Sequence, residues 1–312
     1  MSLVSIIIAT YNRANFIQET LLSIANQNYT EFECIVIDDG SCDDTKFIVE
    51  RLITLDPRFK YFPRPEDVPK GANYCRNYGY SLSSGAFIKF FDSDDLMLPD
   101  HLLVSVNCLQ KGNYDFVVGD CINFDETGVL KRPYEIDRNN YNLTAIDFTM
   151  FNTAWITNDL LVKRGFADQL EFKGGIRDQA SEYQYNIKLL LLTQNGFLIN
   201  QILSKRRIHE DGFVVKAKKR PVWFDQMNAE LFYYTAKYLD DLAPKKLLIW
   251  LLDEHLKLSY KLARIKKVPE NIIGATGLLF TLKGFKGLLY PLAIVMTFIT
   301  RKGYKFIRFI RK

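Results

Sequence analysis

The chain has 312 residues, of which 48% are apolar, 25% charged and 14% aromatic. That is long for one domain and short for three, and the composition excludes a disordered chain, a collagen-like fibre and a disulfide mini-protein. The net charge of +5 is uneven: residues 271–312 hold eight Lys/Arg and no Asp or Glu, leaving 33 basic against 36 acidic residues, a net of −3, over 1–270. A mildly acidic body argues against a nucleic-acid-binding face and against nucleic acid as a partner. The five cysteines (Cys34, Cys42, Cys75, Cys108, Cys121) are odd in number and lack CxxC spacing. They suit a reducing cytoplasm better than a disulfide framework or a zinc site.

The start of the chain carries no signal-peptide pattern, because Val4–Ala9 runs directly into Thr10-Tyr11-Asn12-Arg13. Val4–Ala9 is a β-branched run suited to a strand buried on both faces. A helix follows, with Ile17, Leu21 and Ile24 on one face. Cys34–Ile37 is a second buried strand ending in Asp38-Asp39-Gly40-Ser41, where Ser41 reads as an N-cap. The next helix carries Asp43 and Asp44 in its first turn, where the helix dipole favours anions. Tyr61-Phe62 predicts a short strand, Ala72–Ser83 a helix, and Phe87–Phe91 a strand that stops at Asp92-Ser93-Asp94-Asp95. Pro99 opens a helix bearing Leu102, Leu103, Val106 and Leu109, and Tyr114–Val118 is a further strand.

This β-α-β-α rhythm predicts a doubly wound, mostly parallel α/β sheet, which binds ligands beyond the carboxyl ends of its strands. Polar clusters stand at three of those ends: Thr10–Arg13, Asp38–Ser41 and Asp92–Asp95. Residues 126–215 are less regular, with a Glu126-Thr127-Gly128 turn and helices at Leu143–Phe151 and Glu182–Leu192. From 216 onward the chain reads as helical, with segments at Trp223–Leu239 and Lys245–Lys266.

Carboxylates at i and i+2, as Asp92 and Asp94 are, project to one side of a strand end and repel unless a cation compensates. A hard divalent ion bound with phosphate oxygens is one reading, and a helix entry the other. Asp39 has the chemistry to accept hydrogen bonds from a base or ribose, and Tyr11 offers a ring on which a base can stack.

In order and spacing, the chain resembles the inverting family 2 of GT-A-fold nucleotide-sugar glycosyltransferases. The residues that carry the resemblance are Val4–Arg13, Val36–Ser41, Gly71-Ala72 with Arg76-Asn77 and Gly79, Ser84-Gly85, and Asp92/Asp94 with Pro99. It implies a GT-A fold split into a nucleotide-sugar-binding half (1–125), an acceptor-binding half (126–215) and a helical C-terminal region (216–312). Thr10, Tyr11, Arg13, Asp39, Arg76, Asp92 and Ser93 would then face the nucleotide. Asp94, Asp92 and His209 would hold Mn2+ or Mg2+. Glu182 falls at the position of the catalytic base, with Ser181 replacing the usual preceding acid and Asp178 the competitor. Arg206 and Arg207, in a basic loop running to Gly212, would face the leaving diphosphate.

The implied reaction is transfer of one sugar from a nucleoside-diphosphate sugar, UDP foremost, to a glycan or lipid-linked acceptor in surface polysaccharide biosynthesis. The processive signature Gln-x-x-Arg-Trp is absent. Two rivals are a nucleotidyltransferase, which would need a Gly-rich phosphate loop that Thr10–Arg13 lacks, and a catalytically silent sugar-nucleotide-binding or membrane-scaffold module.

The tail has two readings. Gly287–Thr300 is a 14-residue uncharged run, short of the ~20 that span a bilayer. Six of the last 12 residues are basic and interleave with aromatics. Residues 283–312 then form an amphipathic segment on anionic lipid at the inner face of the cell membrane, or a helix packed on the protein with a solvated basic face.

Overall fold

The computed structural model describes residues 2–176, 178–210 and 212–312, and the chain divides into two compact units, Met1–His209 and Glu210–Lys312. The first opens with β1 (Val4–Thr10), α1 (Ile17–Ala25), β2 (Phe32–Asp38), α2 (Thr45–Ile53), β3 (Phe59–Pro63), α3 (Ala72–Ser81) and β4 (Phe87–Phe90). It continues with β5 (Leu96–Met97), α4 (His101–Lys111), β6 (Phe116–Asp125), β7 (Gly128–Val129) and α5 (Ala145–Thr149). A 3-10 turn at Thr157–Asp159 leads into β8 (Leu160–Lys163), α6 (Arg164–Ala167), α7 (Asp178–Leu192) and β9 (Gly196–Arg207).

The strands join one sheet in the order β3-β2-β1-β4-β8-β6-β9-β5, with β7 beside β6. β3, β2, β1 and β4 run parallel, β8 is antiparallel to both neighbours, β6 and β9 are parallel, and β5 is antiparallel to β9. Because side chains alternate along a strand, the apolar run in β1 serves both faces. Ile6 and Ile8 join Cys34, Val36, Ile17, Leu21 and Leu102 in the larger core. On the other face Ile35, Ile37 and Cys75 form a smaller cluster. Gly79 lets α3 come close there, since a Cβ at that position would lie 2.6 Å from Ile7 Cγ2.

The ends of the parallel strands away from the polar clusters are tied by Glu33. Its Oε1 accepts from Ser5 Oγ (2.7 Å), Ser84 N (2.7 Å) and Ser84 Oγ (2.9 Å), and its Oε2 pairs with Lys60 Nζ at 2.8 Å. Burial opposes the charge, but the bonds from Lys60, Ser5 and Ser84 win and bring the carboxyl down to about 2.

Several sequence expectations change. α2 starts at Thr45, so Asp43 and Asp44 precede it rather than fill its first turn. α4 starts at His101 with Asp100 at the N-cap, which leaves Pro99 outside the helix. The less regular stretch contains β8 and β9, and Arg206 and Arg207 end β9 rather than sit in a loop. The sheet continues past residue 125, and the chain divides by compactness after His209.

The second unit holds α8 (Phe213–Lys219), α9 (Pro221–Tyr238), α10 (Lys245–Arg264), α11 (Ile272–Lys283), a 3-10 segment Gly284–Leu289, α12 (Tyr290–Thr300) and α13 (Tyr304–Arg311). α10 is central to it, with Leu247, Leu248, Leu251, Leu252, His255, Leu256, Ser259 and Leu262 buried along one helical face. His255 links three helices: Nδ1 lies 2.8 Å from Ala229 O, and Nε2 lies 3.0 Å from the Tyr290 hydroxyl. Lys283 pairs with Asp253 at 2.7 Å and donates to Ile310 O and Arg311 O, the last carbonyls of α13.

Among the described residues one stretch, Ile272–Thr300, is long and apolar enough by length and composition to cross a membrane. This run is longer than the one that sequence marked out from Gly287. It is not one straight helix. Gly284, at φ 63°, ends α11, and a Cβ on Gly287 would lie 2.4 Å from the Leu279 backbone carbon, so the chain folds back on α11. Helices of 12 and 11 residues span only ~18 and ~16 Å, against a ~30 Å hydrocarbon core. Of the two readings of the tail, α13 packs Ile307 and Ile310 inward while Tyr304 and Phe309 stay exposed.

Burial lowers His255 from the ordinary histidine range to about 4. A group that must stay neutral in the fold contributes full stability above its unfolded pKa, and that contribution falls away as pH drops towards the folded value. Between about pH 6.5 and 4 the chain should lose roughly 3 kcal/mol through this residue. Urea unfolding of the wild type and of His255→Gln across that window checks it: the difference between the two stabilities should shrink as pH falls.

Candidate functional site

The loops after β1 and β2 are stapled together. Asn12, at φ 49°, donates its backbone N–H to Ser41 Oγ (2.9 Å), while its Oδ1 accepts from Cys42 N (2.9 Å). Arg13 N donates to Thr45 Oγ1 at 2.8 Å and Ala14 N to Asp43 Oδ2 at 3.1 Å. Ser41 is therefore not a helix cap: its hydroxyl donates to Asp38 Oδ1 (2.7 Å) while receiving Asn12. Asp38 is fully occupied by Ser41 and the Tyr61 hydroxyl (2.7 Å), which leaves Asp39 as the acid facing the loop beyond β2.

Asp39 is itself held. Oδ1 pairs with Arg64 Nε at 2.6 Å, and Oδ2 accepts the Gly71 N–H at 3.0 Å. Arg64 in turn donates to Pro65 O (3.0 Å) and Val68 O, so the 64–71 loop is folded around this carboxylate. Tyr11 is 41% exposed, with Lys70 Nζ 3.8 Å from its ring centroid. Thr10 is buried, and its Oγ1 has no hydrogen-bond partner among the described residues. Sequence reasoning missed Arg64 and Lys70; the run Lys70-Gly71 at the mouth of a predicted helix was the available signal.

The Asp92–Asp95 turn is held from several sides. Arg76, buried on α3, places Nη2 2.9 Å from Asp92 Oδ1 and 2.9 Å from Glu182 Oε1 on α7. Thr157 Oγ1 stands 3.4 Å from Glu182 Oε2. Asn158, in the 3-10 turn, accepts the Asp92 N–H at 3.0 Å and donates from Nδ2 to Asp95 Oδ2 at 2.5 Å. Its own carbonyl receives the fully buried Lys89 Nζ at 2.5 Å. Arg207 closes the other side, with N to Asp95 Oδ1 (2.8 Å), Nε to Asp94 O (2.9 Å) and Nη2 to Glu19 (2.5 Å). Arg207 is thus spent on the turn, and Ser93 is buried within it.

The charges sort by environment. Burial alone would raise Asp94, but the His209 hydrogen bond and the Arg13 charge hold its carboxyl below the usual range. Burial pushes Asp95 well up, reinforced by the negative charges of Asp94 and Asp92.

Asp94 Oδ2 lies 3.2 Å from His209 Nε2 and 3.3 Å from Arg13 Nε. Among the described residues no group of three or more His, Cys, Asp or Glu side chains is gathered to hold a metal. Of the three expected ligands Asp94 and His209 meet, while Asp92 turns to Arg76. The Asp94 carboxylate suits Mn2+ or Mg2+ as part of a set that diphosphate oxygens and water complete, whereas the His209 imidazole is a donor for softer ions than Mg2+. The Asp178 side chain and residue 211 lie outside the described residues.

The family model of glycosyl transferase family 2 matches residues 5–162. Among curated relatives, the Campylobacter jejuni GalNAc(5)-diNAcBac-PP-undecaprenol beta-1,3-glucosyltransferase is 35% identical over 134 residues, 43% of this chain and 42% of its own length. The Escherichia coli UDP-Glc:alpha-D-GlcNAc-diphosphoundecaprenol beta-1,3-glucosyltransferase WfgD is 36% identical over 118 residues, 38% of this chain and 45% of its own. Each match thus spans less than half of the relative. Among solved structures, S. aureus TarS 1-349 in complex with UDP-GlcNAc aligns with TM-score 0.70 and 20% identity, covering all of this chain and 90% of that one. The mannosyltransferase PcManGT from Pyrobaculum calidifontis, in complex with GDP-Man and Mn2+, aligns with TM-score 0.58 and 20% identity over 96% of this chain and 87% of that one. The expected GT-A architecture with a helical C-terminal part is the one observed.

Asn158→Asp would set two carboxylates against each other at Asp95 and should cost about 2–4 kcal/mol, the range for an uncompensated buried charge or donor. Adding Asp95→Asn should restore most of that, since the amide then donates from the other side. Urea unfolding of both single variants and the double variant measures the coupling, and no recovery in the double variant would contradict the bonding described.

Proposed function

The chain belongs to glycosyl transferase family 2, and on that premise we propose that it moves one sugar from a nucleoside-diphosphate sugar to an acceptor hydroxyl, with inversion and with a divalent metal. The observation that carries the reading is the convergence of Asp92 and Glu182 on Arg76, beside Asp94 and His209. It sets a carboxylate able to take a proton next to groups suited to a diphosphate. UDP is the proposed carrier, in keeping with the UDP-GlcNAc complex of TarS. A lipid-linked acceptor is proposed on the activities for which the C. jejuni and E. coli relatives are named. The reaction then belongs to surface polysaccharide or glycan assembly, by a cytoplasmic protein seated on the inner face of the cell membrane.

In this reading Tyr11 stacks on the base and Asp39, fixed by Arg64 and Gly71, accepts its hydrogen bonds. Thr10, Arg13, Arg76, Asp92 and Ser93 line the ribose and diphosphate side. Asp94 and His209 would hold the divalent ion, which would supply positive charge beside the departing diphosphate. Glu182 takes the proton from the acceptor hydroxyl as that oxygen bonds to the anomeric carbon. The bond from that carbon to the phosphate oxygen breaks, and the nucleoside diphosphate leaves with the electron pair. Arg76 orients Glu182 and keeps a positive charge beside both carboxylates.

A thermal-shift panel of UDP, GDP, dTDP and CMP, each with Mn2+ and with EDTA, tests the donor side. A nucleotide at 100 times its Kd should add about 2.7 kcal/mol. UDP should raise the melting temperature with Mn2+ and not with EDTA, and Asp94→Asn should abolish that difference. Glu182→Gln should keep the shift and lose at least a hundredfold in transfer from a labelled UDP-sugar, the lower range for a lost general base. Full transfer in that variant would move the base to Asp178 or elsewhere. Pyrophosphate release would instead indicate a nucleotidyltransferase, and binding without turnover a silent module.

A further inference from the structure

α13 packs Ile307 and Ile310 inward and leaves Tyr304, Phe309 and its cations outside, and the same unit presents a second, larger apolar surface. Ile273 (89% exposed), Phe280, Phe285 (81%), Leu288, Leu292, Val295 and Ile299 (67%) are all exposed. On α11 the exposed positions 273, 277 and 280 recur at helical spacing, and on α12 so do 292, 295 and 299. The inner positions of the same helices, Ala275, Leu279, Ala293, Ile294 and Thr297, are buried. Each helix therefore has one face committed to its own unit and one apolar face turned outward. So many large apolar side chains on the outside of one short segment are uncommon in a monomeric protein and mark a contact surface.

The charge of the segment selects the partner. Residues 271–312 contain no Asp or Glu, and Lys286, Arg301, Lys302, Lys305 and Arg308 are exposed. A second copy of the same face would bring these cations together with no acid from the segment to answer them. A surface that is apolar in depth and anionic at its edge answers both features. We propose that the outward face of α11, the Gly284–Leu289 segment and α12 sits in the outer few ångströms of an anionic bilayer leaflet, without crossing it. The break at Gly284 keeps both helices too short to span. This deepens the membrane part of the proposed function and is independent of the transfer chemistry.

The test is co-sedimentation of the full chain with vesicles of phosphatidylcholine and phosphatidylglycerol at about 2:1, and with pure phosphatidylcholine vesicles. The wild type should bind the anionic vesicles at least tenfold more tightly than the neutral ones. The variant F285S/L292S/I299S, and separately the charge variant K286E/K302E/R308E, should each lose tenfold or more. All should keep the wild-type UDP thermal shift, which separates failure of this proposal from failure of the donor reading and confirms a folded chain. No binding by the wild type, equal binding to neutral vesicles, or undiminished binding by both variants would overturn the proposal. So would a concentration-dependent dimer that F285S/L292S/I299S abolishes, which would assign the face to a second copy of the chain.

Discussion

Three carboxylates within four residues, at the end of a strand buried on both faces, make an electrostatic problem that the surrounding fold has to solve. Each carboxylate is met by a different element. Asp92 meets Arg76 from α3, Asp94 meets Arg13 beyond β1 and His209 beyond β9, and Asp95 meets Asn158 and the Arg207 amide. Asn158, Arg207 and His209 all come from the later part of the chain, beyond β6. Compensating the charge therefore also fixes where the second half of the sheet sits against the first. Asp94 and Asp95 are the more buried members, and leaving either without its partners would cost several kcal/mol, so these two and their partners stand or fall together.

The proposed chemistry uses the same arrangement. A diphosphate brought to this place meets basic groups already positioned by acids, rather than flexible surface cations that would have to be ordered first. Arg76 is the clearest instance, since one buried guanidinium contacts a strand-end acid and the α7 carboxylate. A guanidinium held by two acids is fixed before any ligand arrives, which is what electrostatic preorganisation requires.

Much of this was legible in the sequence. The β-branched runs of β1 and β2 and the apolar spacing of α1 and α4 declare themselves because each is buried along a regular period. The polar strand ends followed from the topology those elements imply. What was not legible depends on partners distant in sequence. β8 has only four residues, and β9 mixes Asn200, Gln201, Ser204 and Lys205 into a strand with register shifts, so neither shows a clean period. Asn158 is an ordinary residue in a 3-10 turn until Asp92 and Asp95 arrive beside it. Ser41 looked like a cap because Ser before a helix usually is one, yet Asn12 and Asp38 had claimed its hydroxyl. The two readings of the tail stayed open for a related reason. Composition reports that apolar and basic residues coexist, but only packing decides which helix keeps its apolar face inside.

The Glu33 knot bears on how such a chain can diverge. It gathers donors from β1, from the loop ahead of β4 and from β3, all at the end of the sheet remote from the polar loops. Strand register is thereby secured without help from any residue that meets a ligand. Loops at the opposite end are free to be lengthened, exchanged or re-charged while the strands beneath them stay in step. Changes confined to the polar loops leave this anchor in place, because Glu33 and its donors lie at the other end of the strands.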